Sequence, residues 1–164
     1  MTQSKNQVVT PEPGRLRLTP SGFHIRATSF LECAEHLDPG KPGWLPVRMF
    51  LYARAAELAL KAYLLAKRRT VANVKDLGHD LVLLVQEATA FGLEVALSLT
   101  GADIRTILSL NDYYQDKKLE YFELQSALQG FPGLPALDQV RDVVTRLVVG
   151  VGPVSNSPEA ARPL

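Results

Sequence analysis

The chain has almost no cysteine. Cys33 stands alone among 164 residues, so no internal disulfide can form. No Cys/His cluster has zinc spacing, and neither a metal site nor a cofactor is expected. Free cysteine is among the most buried residue types, so Cys33 is expected inside. Histidine is scarce as well, with only His24, His36 and His79. No apolar run approaches the roughly 20 residues that span a bilayer, so no membrane association is expected. Met1-Thr2-Gln3-Ser4-Lys5-Asn6 leads to Pro11 and Pro13 without the apolar core of a signal peptide. With a lone thiol, this fits a reduced, cytoplasmic setting.

Several chemical motifs are missing. Gly40, Gly43 and Gly78 lie outside any Walker or Rossmann pattern, and no Gly-x-Ser-x-Gly elbow occurs. Carboxylates are scattered rather than paired as glycoside chemistry needs. Neither sign of charge dominates. A net charge of +1 argues against a surface built wholly for nucleic acid, while leaving room for a local basic patch.

What remains reads as an all-α protein, an antiparallel up-and-down bundle of about five helices. Residues 1–19 are polar and broken by Pro and Gly, and are expected to form a flexible arm. Residues 20–149 form the single bundle domain, and 150–164, with Pro153, Pro158 and Pro163, a flexible tail. The first helix runs from about Pro20 to Leu37, with Thr19 as N-cap. The second and longest runs from about Leu45 to Arg68. Its residues Val47, Leu51, Ala55, Leu58, Ala62 and Leu65 repeat at spacings of three and four. A third spans about His79 to Phe91. A fourth starts at Thr100, where Thr100 and Asp103 resemble a capping box. The last spans about Leu134 to Val149.

The chemistry concentrates between Ala53 and Leu84. Glu57 and Lys61 sit one turn apart in an otherwise apolar helix. They have two readings. An exposed pair at this spacing contributes about 0.2–0.5 kcal/mol and is common. A pair tucked against a neighbouring helix needs partners for both charges, and Arg54 and His79 are the obvious ones. The same face is then a candidate catalytic cluster of His79, Glu57 and Lys61. His79 itself is either a structural residue at a helix start or a general base. From Arg54 to Lys75 there are six cations against the one carboxylate of Glu57. Lys67, Arg68 and Arg69 could hold phosphate oxygens, or could simply form a solvated helix end. Tyr114 and Lys118, within the Tyr113–Tyr121 segment, combine a stacking surface with a cation, as single-strand binders do; core or interface packing is the alternative.

Glu57-Leu58-Ala59-Leu60-Lys61-Ala62-Tyr63-Leu64, a basic loop, Gly78-His79-Asp80-Leu81 and the later Asn111–Phe122 tyrosine segment follow one another in an order that resembles the HEPN superfamily. The resemblance covers roughly residues 23–149. It implies a bundle of four or five helices that pairs into a homodimer. Many members are metal-independent ribonucleases of toxin–antitoxin or phage-defence systems, and others are non-catalytic partners of nucleotidyltransferases. The ribonucleases carry an Arg, four to six residues, then a His in the later helices. Here no histidine follows His79, and Arg17 to His24, the one formal match, straddles the start of the first helix. The expected function is therefore that of a non-catalytic accessory module, with an antitoxin or nucleotidyltransferase as partner. The alternative is a divergent ribonuclease or an RNA- or nucleotide-binding module using Glu57, Lys61 and His79, with Arg54, Lys67, Arg68, Arg69, Tyr114 and Lys118 as binding residues.

Overall fold

A long alanine-rich helix runs through the middle of the molecule. The computed structural model describes residues 18–38, 40–41, 43–120 and 130–160. Among them the fold is all-α, with helices α1 (Pro20–His36), α2 (Trp44–Ala66), α3 (Val71–Asp76), α4 (Leu81–Ala90), α5 (Leu93–Leu97), α6 (Gly101–Leu108), α7 (Asn111–Tyr114) and α8 (Leu137–Ser155). Among the described residues the count is eight rather than about five, because the chain between the long helices forms short ones. Helices α3, α5 and α7 are six, five and four residues long.

Local signals set the ends. Thr19 accepts from the Gly22 N–H at 3.1 Å, as expected of an N-cap followed by proline. Thr100 and Asp103 form the reciprocal capping box that starts α6. Gly92, at φ 79, turns the chain between α4 and α5 in a conformation that side chains with a Cβ resist. The third expected helix begins two residues late. Asp80 caps α4 by accepting from Val82 and Leu83, and this leaves His79 in the preceding turn.

Helix α2 is buried on nearly every side from Tyr52 to Leu65. Ala53, Ala55, Ala56, Ala59 and Ala62 are fully covered, and their small side chains let neighbours approach closely. Helix α1 lies antiparallel to α2. Arg48 donates to the Ala34 carbonyl at 3.1 Å near the end of α1, where a cation suits the helix dipole, and Tyr52 donates to Glu35 at 2.7 Å. Helix α8 packs on both, and α4 covers another side of α2. His24 joins α1 to α8 at the Val148 carbonyl, 3.0 Å away.

Two expectations are corrected here. The flexible tail does not start at Gly150. Helix α8 continues to Ser155, with Val151, Gly152 and Ser155 buried, and Pro153 sits inside its final turns. Cys33 is exposed rather than buried, because it lies off the Ala27, Leu31 and Ala34 stripe that α1 turns inward. Among the described residues no helix is long and apolar enough to cross a membrane. The proposed N-terminal arm, apart from Leu18 and Thr19, and Tyr121 lie outside the described residues.

Candidate functional site

Arg54, Glu57 and Lys61 project from one face of α2, three and four residues apart. The next element supplies the lid. After α3 ends, Gly78 takes φ 59 and turns the chain back across α2. Its carbonyl then accepts from Lys61 Nζ at 2.6 Å, and the adjacent His79 reaches Glu57. Helix α7 closes the third side. Asn111 is buried and accepts from the Leu81 N–H at 2.7 Å, which fixes α7 against the start of α4. Tyr114, one turn further along, is thereby directed at Glu57.

The centre of the arrangement is the Glu57 carboxylate, whose side chain is 1% exposed. Lys61 Nζ donates to Oε1 at 2.6 Å and Arg54 Nη1 donates to Oε2 at 2.7 Å. The Tyr114 hydroxyl donates to Oε2, and His79 Nδ1 lies 3.1 Å from both oxygens. Burial alone would push this carboxyl upward. The hydrogen bonds from Lys61 and Tyr114 and the charges of Lys61 and Arg54 outweigh it and hold the group below its ordinary value, as a carboxylate. Tyr114 is pushed well above the usual phenol value, first by burial and then by the Glu57 charge, so it stays a neutral donor. Burial works against the charge on Arg54, but the Tyr114 hydroxyl and Glu57 more than offset it.

Above the cluster is a cavity of about 390 Å³ between α1, α2, the His79 turn and the segment after α7. Phe30, Phe50 and Tyr114 give it aromatic walls. Arg54, His79 and Lys117 give it cations, with Gln115 and Glu120 at the side. Phe50 and Tyr114 have ring centroids 6.0 Å apart, and the Arg54 guanidinium lies 5.9 Å from the Phe30 ring centre. Lys117 adopts φ 59, a left-handed turn uncommon for a residue with a side chain.

Five of the sequence-derived candidates thus meet: Arg54, Glu57, Lys61, His79 and Tyr114. The Glu57–Lys61 pair is the tucked pair, not the exposed one. The other four lie elsewhere. Lys67 is about 15 Å along the axis from Glu57, at ten residues of 1.5 Å each, and its ammonium lies 5.3 Å from the Tyr63 ring centre. Arg68 ends α2 in a left-handed conformation at φ 69. Arg69 pairs with Glu87 and covers the Phe91 ring. Lys118 pairs with Asp116 at 2.9 Å and faces Tyr113, so Lys117 rather than Lys118 lines the cavity. Sequence reasoning also missed Asn111 as a brace and Phe30 and Phe50 as cavity walls. Nothing in the sequence marks Asn111 as buried, since asparagine is mostly an exposed residue. Among the described residues no group of three or more His, Cys, Asp or Glu side chains could hold a metal ion.

Chemically, the site is a buried carboxylate fully engaged by donors, beneath an accessible rim of Arg54, His79 and aromatic rings. Comparison with family models, curated proteins and solved structures finds no match to this chain.

Proposed function

We propose that the chain is a non-catalytic, HEPN-like helical module. It acts as a homodimer in an accessory or defence role beside a nucleotidyltransferase or an antitoxin, and it holds a phosphate-bearing nucleotide or RNA end in the cavity over Glu57. One observation carries the ligand reading. Glu57 is consumed as an internal counter-charge, whereas the Arg54 side chain is 28% and the His79 side chain 59% exposed beside three aromatic rings. Cations next to ring faces suit a ligand with phosphate at one end and a stackable base at the other. The described side chains lining the cavity offer no hydroxyl or thiol nucleophile except Tyr114, whose proton is committed to Glu57.

A second reading is favoured by the contact between Glu57 and His79. A carboxylate that orients an imidazole leaves the other ring nitrogen as a general base, and a ribose hydroxyl could serve as the nucleophile. Structured and single-stranded RNA, incubated with wild type and with His79→Ala, separates the two. The binding module predicts no cleavage above background, with binding weakened in Arg54→Gln and in Lys117→Gln and falling steeply with salt. Robust cleavage by wild type that vanishes in His79→Ala would make the protein a ribonuclease.

A further inference from the structure

One atom at the cavity rim faces incompatible demands. His79 Nδ1 lies 3.1 Å from each Glu57 oxygen, and also 3.1 Å from Nη1 of Arg54. The oxygens need a donor there, and the guanidinium N–H needs an acceptor. One ring nitrogen cannot serve both. The carboxylate prevails for two reasons. An unprotonated Nδ1 would set its lone pair against two anionic oxygens at 3.1 Å, whereas a protonated one meets the guanidinium at a single nitrogen. Arg54 Nη1 also keeps other acceptors when the ring offers none, Glu57 Oε2 at 2.7 Å and the Tyr114 hydroxyl at 3.4 Å. The proton of the neutral ring therefore sits on Nδ1, and Nε2, across the ring, carries the lone pair.

We propose that His79 is a proton switch for anion binding in this cavity: Glu57 pins Nδ1–H, so added protons go to Nε2 and convert it from an acceptor into a cationic donor. This rests on the ligand reading above. The charges around His79 explain why the switch needs an anion. Helix α2 presents Arg54, Glu57 and Lys61, and α7 presents the neutral Tyr114. The turn after α7 presents Lys117 and Glu120 at the cavity wall. Asp80, next in the chain, is occupied by the Val82 and Leu83 N–H groups. Two cations already face one carboxylate inside the cluster, and Lys117 and Glu120 cancel. A protonated His79 adds a further positive charge to a cluster whose one contacting carboxylate, Glu57, already faces two cations. An anion in the cavity supplies that balance, so anion binding draws a proton onto His79, and protonation tightens anion binding by the same factor.

Sulfate is the probe, because it does not titrate between pH 5 and 8. Its affinity for the full chain is measured calorimetrically across that range. As pH rises across this range, wild type should lose affinity, by at most about tenfold per pH unit, the limit for one linked proton. His79→Gln should bind weakly with little pH dependence. Imidazole nitrogen NMR on the wild type supplies a readout that needs no variant. Neutral His79 should carry its proton on Nδ1, and its titration midpoint should move up when sulfate is added. A neutral ring protonated on Nε2 overturns the switch. So does sulfate bound with flat affinity, an outcome that leaves the binding reading standing. No sulfate binding at any pH overturns both.

Discussion

At the residue scale, Glu57 is the position on which the site depends. Replacing it by glutamine keeps the shape but removes the charge that Lys61 and Arg54 face. Breaking a buried pair by neutralising one partner costs about 3–5 kcal/mol, and Glu57→Gln should lose that much by chemical denaturation. Lys61→Met should cost less, because Arg54, Tyr114 and His79 still satisfy the carboxylate. A second ion pair gives a test by pH. The hydrogen bond from Arg146, at 2.5 Å to Oδ1, outweighs burial and, with the Thr100 contacts, holds Asp103 down at about 2. The unfolded chain takes up that proton near the ordinary Asp value of about 3.9. The stabilisation is thus complete above about pH 4 and is lost as pH falls through the folded value. Thermal melts should show wild type losing more stability between pH 4 and pH 2 than Arg146→Gln, in which only the smaller share from the Thr100 contacts is left to lose. The meeting of Glu57, Lys61 and His79 was legible in sequence, since a charged pair among alanines and leucines needs partners and Gly78-His79 offers one. The sequence offers Tyr114 as a stacking surface or a packing residue and not as a donor to Glu57, because that role depends on how α7 docks. Lys117 was passed over for Lys118, because a left-handed turn at a lysine carries no sequence mark.

At the scale of elements, the long helices announced themselves and the short ones did not. Thr19-Pro20 and Thr100-Gly101-Ala102-Asp103 are start signals with a mechanism, and the structure uses both. Helices α3 and α5 span too few residues for a hydrophobic period to build up. The end of α8 was misplaced because proline reads as a breaker. In the helix Pro153 cannot donate to the Val149 carbonyl and its ring crowds that group, but both residues are exposed, where the carbonyl can turn out to water. The glycines of this helix are contact points. A Cβ at Gly150 would lie 3.0 Å from Leu97 Cδ2, and one at Gly152 3.2 Å from His24 Cε1 and Nε2. Alanine is favoured over glycine inside a helix by about 1 kcal/mol. Gly152→Ala should nevertheless destabilise the wild type by about 1 kcal/mol, by displacing the imidazole that bridges α1 to the Val148 carbonyl. In a His24→Ala background the same change should stabilise by up to about 1 kcal/mol. A double-mutant cycle by urea denaturation checks both signs, and matching effects in the two backgrounds would remove the contact from the account.

At the scale of the whole molecule, the apolar circumference of α2 does not call for a second subunit. From Tyr52 to Leu65 its alanines and leucines are covered within one protomer, chiefly by α1, α4 and α8. That distinction was not legible in the sequence, where a helix that is apolar all round can be buried inside one chain or between two. If the proposed homodimer forms, its contact has to come from what the protomer leaves exposed. Most large apolar residues at the surface are isolated, as is normal. Ile25 and Val149 differ. They are 63% and 65% exposed, and they adjoin His24 and Val148, the two residues that bond α1 to α8. Both flank the seam between α1 and α8, which makes that seam the place to test for the contact of a symmetric pair. Light scattering at tens of micromolar should give twice the 18.0 kDa protomer mass. Ile25→Asp together with Val149→Asp should return the particle to the single mass with its helical circular dichroism intact, because neither side chain is buried in the protomer. A wild type that scatters as 18.0 kDa at that concentration removes the dimer. A dimer that survives both aspartates moves the contact away from α1 and α8.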